Sequence, residues 1–150
     1  MNLLVLLGPT ASGKTHLAVQ AARQLGGEII SADSRQVYRG LDIGSGKDLG
    51  EYGSTPYHLI DITDPGYEFS LFDFAQAFSH AFSEIKSRNR LPILCGGTGL
   101  YLDAVLQGYE LVKVGENKVL RQELEPLHLT SLQERLQALR PEQHNTTDLE

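Results

Sequence analysis

The segment Gly8-Pro9-Thr10-Ala11-Ser12-Gly13-Lys14-Thr15 constrains this chain more than any other. It spells G-x-x-x-x-G-K-[ST], the phosphate-binding loop, a pattern that carries meaning only between a strand and a helix. Both flanks meet that condition. Leu3-Leu4-Val5-Leu6-Leu7 reads as a buried strand running into the loop, and Leu17, Ala18, Ala21, Ala22 and Leu25 follow at helical spacing. An ordinary strand-to-helix turn would not need glycine, lysine and threonine together.

The chemistry follows from that arrangement. Gly8 and Gly13 let the backbone curl so that successive N–H groups point at one phosphate, and the helix opening near Lys14 adds the positive end of its dipole. Lys14 brings a mobile cation, and the Thr15 hydroxyl is placed to ligate Mg2+. The loop alone leaves open whether the bound phosphate is transferred, hydrolysed or released as a leaving group.

Composition narrows the setting. A chain of 150 residues can build one domain with a sizeable core, and 41% hydrophobic with 21% charged residues is ordinary for a globular protein. No apolar run approaches a bilayer span, and no basic segment precedes a cleavable apolar one. The single Cys95 cannot form an internal disulfide and reads as a small buried residue at a strand end. The cytosol is the expected compartment, with no membrane association and no obligate protein partner evident. A net charge of −6 argues against nucleic acid as a partner of the whole surface but allows a local basic groove. Arg35, Arg39 and Lys47 are the basic trio nearest the loop.

Further along, strand and helix signals alternate. Glu28 to Ser31 reads as a short strand ending at Ala32-Asp33-Ser34, and Gly40 to Thr55 as a long polar loop with room for a little helix. Tyr57 to Ile60 suggests a third strand, followed by a turn at Asp64-Pro65-Gly66. Ser70 and Asp73 fit a capping box for a helix carrying Leu71, Phe74, Ala75, Phe78, Ala81, Phe82 and Ile85 on one face, an aromatic stripe that reads as core. Pro92 to Cys95 is the next strand, Gly96 to Gly99 a turn, and Leu100 to Leu106 another helix. This alternation predicts an α/β fold with a parallel sheet covered on both faces, and ligands in such sheets sit beyond the carboxyl ends of the strands. The glycine loop, Asp33 and Thr98 all follow strand ends and should converge on one edge. Residues 1–110 form this core; 111–150 change character, with two leucine-bearing helices, the second opened by a Thr130–Gln133 capping box, and a polar tail from Pro141.

Two carboxylates compete for the reaction. Asp33 is expected at the end of the strand neighbouring the first, as a general base on an acceptor or a group near Mg2+; an Asx turn closing the strand is the structural alternative. Asp61, after Leu59-Ile60, is the rival for an indirect metal role.

Three segments together, Gly8 to Thr15, Gly27 to Gly44 with Asp33-Ser34-Arg35-Gln36, and Gly96-Gly97-Thr98-Gly99-Leu100-Tyr101, resemble the tRNA dimethylallyltransferases, as does Tyr57-His58-Leu59-Ile60-Asp61. The resemblance covers roughly residues 3 to 109 and is shared in part by adenylate isopentenyltransferases. It implies a P-loop NTPase-like sheet whose loop, Gly8 to Thr15, holds the diphosphate of dimethylallyl diphosphate with Mg2+ on Thr15. It implies attack by N6 of an adenosine beside the tRNA anticodon, with Asp33 taking the proton and Thr10 facing the reacting end of the donor. Ser34, Arg35 and Gln36 would meet the extruded adenosine together with Asp33, and Thr98 would contact the RNA. The chain departs from the family where Gly44-Ser45-Gly46-Lys47-Asp48 replaces a common Gly-Thr-Ala-Lys-Pro. The family is about twice as long, so 111–150 reads as the start of an inserted tRNA-binding helical domain in a truncated form. Transfer to free AMP or ATP, and a small-molecule kinase, are the alternative activities.

Overall fold

Residue Ala32 ends the most deeply buried strand of the molecule, and the fold is built outward from there. The computed structural model describes residues 2–141. The strands are β1 (Leu4–Leu7), β2 (Gly27–Ala32), β3 (Tyr57–His58) and β4 (Leu91–Gly96); the helices are α1 (Lys14–Leu25), α2 (Leu49–Tyr52), α3 (Leu71–Ser87), α4 (Gly99–Leu106), α5 (Lys118–Leu124) and α6 (Leu129–Leu139). The four strands form one parallel sheet in the order β1-β4-β2-β3. Every residue of β2 is buried, as expected of an inner parallel strand with helices on both faces.

Side chains alternate across the sheet and sort into two cores. Ile30, Ala32 and Leu94 face α3 and α4, meeting Phe74, Phe78, Ala81, Ile85, Tyr101 and Leu102. Ile29, Ile93 and Cys95 face the other way, towards Ala18, Val19 and Ala22 of α1 and Tyr52 of α2. Phe74 stacks on Tyr101 with ring centroids 4.0 Å apart, locking α3 to α4. The predicted capping box of α3 is present: Ser70 Oγ accepts from the Asp73 N–H, and the Asp73 carboxylate accepts from the Ser70 N–H. The chain divides into two compact units, one reaching Val112 and the other beginning at Lys113. No residue of α5 or α6 is fully buried.

Several expectations need correction. The first strand is half-buried rather than buried, because β4 covers only one of its edges, and Leu7 is 68% exposed. The strand beside β1 is β4, so Asp33 is one strand further away than expected. α1 turns Ala18, Val19 and Ala22 inward and leaves Leu17 and Leu25 exposed, because small residues let it lie close on the sheet. The third strand stops at His58, since Leu59 (φ 63°) and Asp61 (φ 55°) adopt left-handed conformations that turn the chain out of the sheet. Thr130 lies inside α6, whose N-cap is His128, so the Thr130–Gln133 capping box does not form. All but the first residue of the polar tail, Pro141, lies outside the described residues.

Candidate functional site

Sheet register builds the site. Leu7 pairs with Gly96, and Gly96 with Ala32, so β1, β4 and β2 end on one line. Gly8, Gly97 and Asp33 are the residues that step off that line together. They open a cleft of about 120 Å³ whose lining includes Thr10, Lys14, Thr15, Asp33, Gln36 and Tyr52. The convergence expected from strand ends is what the fold produces, at the position where parallel sheets bind ligands.

The glycine loop has the curled form its sequence demands. Gly13 caps α1 in a left-handed conformation (φ 79°), and Ala11 is left-handed too (φ 62°). Gly8 contributes space instead of unusual torsion: a Cβ there would meet Ser12 Oγ at 3.3 Å. The first turn of α1 begins at Lys14, directing its free N–H groups and dipole at the cleft. Lys14 Nζ donates to the Pro9 carbonyl across the loop.

Asp33 takes on the structural and the exposed role at once. Its Oδ1 accepts from the N–H groups of Arg35 (2.9 Å) and Gln36 (3.3 Å), an Asx turn. Its Oδ2 has no hydrogen-bond partner among the described residues, and the side chain lines the cleft. Thr98 is joined to the same segment: its Oγ1 accepts from the Ser34 N–H at 3.0 Å, while its N–H donates to the Ala32 carbonyl. Gln36 Oε1 accepts from Ser31 Oγ.

The basic trio does not assemble. Arg39 pairs with Asp64 at 2.8 Å and also donates to the Ile62 carbonyl. The Lys47 side chain is 0% exposed, and its ammonium donates to Tyr38 O, Asp42 and Asp61. Burial works against its charge, but the two carboxylates outweigh this and raise its pKa. Asp61 is therefore committed to Lys47 and is absent from the cleft lining, which removes the geometry its metal role would need. Lys47 instead pins the loop whose Ser45 and Gly46 form one wall of the cleft.

Tyr52 and Cys95 line the cleft too, and neither was expected there as a site residue. Tyr52 reaches the cleft from α2; burial pushes its phenol up most strongly, and a hydrogen bond with the Thr15 side chain draws it back. A Gly-rich loop offers no periodicity from which to find it. Cys95 does follow from register, one residue before Gly96 on the face turned to α1. Burial raises its thiol to about 11, which fits a buried packing residue and not a nucleophile.

Residues 36–150 match the profile of the IPP transferase family. The chain belongs to that family. It is 70% identical over 148 residues to tRNA dimethylallyltransferase 2 of Syntrophotalea carbinolica, covering 99% of this chain and 50% of that protein. It is 62% identical to tRNA dimethylallyltransferase 1 of Geotalea uraniireducens, covering 49% of it. Among solved structures, the full-length tRNA isopentenylpyrophosphate transferase of Bacillus halodurans superposes with a TM-score of 0.72 at 41% identity, over 94% of this chain and 48% of that one. A eukaryotic dimethylallyltransferase acting on tRNA superposes with a TM-score of 0.79 at 27% identity, over 94% of this chain and 36% of that one. The IPP transferase chain described here therefore spans about half the length of the curated relatives it matches, and its fold is the P-loop NTPase-like parallel sheet that the resemblance implied. No helix among its described residues is long and apolar enough to cross a membrane.

Proposed function

We propose that this chain carries the donor site of a tRNA dimethylallyltransferase. The reaction moves the dimethylallyl group of dimethylallyl diphosphate to N6 of an adenosine beside the anticodon and releases pyrophosphate. The observation that carries this reading is the cleft itself: a phosphate loop on one side and, on the other, Asp33, whose Oδ2 has no hydrogen-bond partner among the described residues. Family membership and the names of the relatives agree with it.

In this reading the loop N–H groups and Lys14 hold the diphosphate. The N6 lone pair forms a bond to the allylic carbon as the carbon–oxygen bond to the diphosphate breaks. Asp33 Oδ2 accepts the N6 proton while Oδ1 stays in its Asx turn, so the base is oriented before the acceptor arrives. Negative charge grows on the leaving group, where prearranged N–H donors and Lys14 act most strongly. Thr10 faces the reacting end, while Ser34, Arg35, Gln36 and Thr98, one linked segment, receive the extruded adenosine and adjoining RNA. Among the described residues no cluster of three or more His, Cys, Asp or Glu side chains could hold a metal. Mg2+, a hard cation, would be held by the Thr15 hydroxyl together with diphosphate oxygens. Bound there, it supplies charge neutralisation to the leaving diphosphate. Residues 111–150 then begin the helical insertion that grips the tRNA, and the cytosol is the compartment where this substrate is met.

Thermal stabilisation by dimethylallyl diphosphate, ATP and GTP, each with Mg2+, tests the reading. A ligand at about 100 times its Kd adds about 2.7 kcal/mol. The prenyl diphosphate should stabilise most; preference for ATP would overturn the reading in favour of a kinase or an adenylate-type enzyme. Asp33→Asn should keep the donor's stabilisation, and its loss would refute a base role for Asp33.

A further inference from the structure

The opposite pole of the sheet holds a second polar groove, far in the fold from the strand ends that carry the phosphate loop. It lies at the amino ends of β2 and β4, where Gly27 pairs with Leu91, and it measures about 280 Å³. Arg23, in the last turn of α1, and Arg90, just before β4, both line it. Neither guanidinium has an ion pair or side-chain hydrogen bond among the described residues. Glu28 lines the groove as well, but its charge is already met. Arg88 holds Oε1 at 3.0 Å and Oε2 at 2.8 Å, and His58 approaches Oε2 at 2.8 Å.

Thr55 supplies an independent observation. It is 6% exposed and lines the groove, and its Oγ1 is buried with no hydrogen-bond partner among the described residues. Buried hydroxyls almost always have partners, so an orphan one in the wall of a groove that the two arginines also line marks a place for an acceptor. The complementary group has negative charge and several acceptor oxygens in a small volume. Guanidinium forks match phosphate in this way. The volume sits just below the roughly 300 Å³ at which small-molecule pockets begin, which suits a phosphate group and little of its carrier.

We propose that the groove between Arg23, Arg90 and Thr55 is a second anion site that binds a phosphate group, separate from the phosphate loop. Free phosphate and a phosphate monoester share this chemistry.

Amide chemical shifts of the 15N-labelled chain, titrated with inorganic phosphate and separately with AMP, test the site. Expected are saturable shifts at Gly26, Gly27, Ser54 and Thr55 that persist in Lys14→Ala, where the phosphate loop is disabled. Arg23→Gln with Arg90→Gln should weaken this binding by at least about tenfold, the size of one lost charge-assisted hydrogen bond. Thr55→Val, which keeps the shape and removes the hydroxyl, should weaken it without unfolding the chain. Tighter binding of AMP than of phosphate at these amides assigns the site to a monoester; equal binding assigns it to the free anion. Absence of shifts at these amides, or shifts that survive in the double arginine variant or vanish in Lys14→Ala, would overturn the proposal.

Discussion

Gly96 is where the sheet and the cleft depend on the same missing side chain. A Cβ built there would lie 2.2 Å from the Ala32 carbonyl oxygen, 2.5 Å from its carbon and 2.8 Å from its Cα. All three are backbone atoms of the paired strand, so no side chain can swing aside. Carbon–oxygen contacts settle at about 3.4 Å, so β2 and β4 must part by about 1 Å in Gly96→Ala. That lengthens the last ladder bond and the Thr98 N–H bond to Ala32 O, now 3.2 Å, past useful hydrogen-bond length. Two bonds at about 1 kcal/mol each, plus about 1–3 kcal/mol of overpacking, give a loss of about 3–5 kcal/mol. For a folded unit of about 100 residues this lowers Tm by roughly 12–20 °C. Gly99→Ala is the internal control: nothing lies within 4 Å of its Cβ position, and Gly99 is the first residue of α4. Alanine there should be neutral or stabilise by up to about 1 kcal/mol. Thermal melts followed by circular dichroism decide between the two. A Gly96→Ala melt within about 2 °C of the parent, or equal shifts for the two variants, would refute the steric argument.

The Glu28 ion pair sets an acid limb of stability. Arg88 hydrogen bonding, opposed by burial and assisted by His58, holds the Glu28 carboxyl below its ordinary value of 4.5. Its contribution is complete above that value and is lost as pH falls through the lower folded value. Glu28→Gln should cost about 2 kcal/mol near neutral pH, at the low end for a buried pair because Arg88 is half in solvent, and should flatten urea-unfolding stability against pH below 4.5. Lys47→Met strips the counter-charge from Asp42 and Asp61; a loss of about 3 kcal/mol and faster proteolysis between Leu41 and Lys47 are expected, and an unchanged cleavage rate would show that Lys47 does not pin that loop. Cys95, buried and raised to about 11, should resist thiol reagents at neutral pH until urea unfolds the chain, whereas rapid native labelling would contradict its burial.

Local patterns were the legible part. The glycine loop, the Ser70–Asp73 capping box and the alternation of strand and helix each depend on neighbours within a few residues, and each took the expected form. The convergence of Gly8, Asp33 and Thr98 was also legible, because parallel strands joined by helices must all end on the same side. Strand order was not. Whether β2 or β4 lies against β1 is a choice among non-local pairings, and the close approach at Gly96 that lets β4 enter between them shows in the sequence only as one glycine of the run Gly96-Gly97-Thr98-Gly99. The same limit hid the fate of Lys47, a cation that looked available near the site until Asp42 and Asp61 closed on it from separate segments.

The sequence by itself determined the curled glycine loop at a strand-to-helix turn, since the torsions, the cation and the helix dipole all lie within eight residues. It also determined family membership, since the motifs that carry it are contiguous. Tertiary structure alone decided which of two aspartates faces the cleft. Asp33 and Asp61 both follow apolar runs, but only pairing across the sheet brings Asp33 to the open edge, while a buried ammonium from a distant loop neutralises Asp61. Charge partners are chosen by proximity in space, and that is settled only once the sheet has closed.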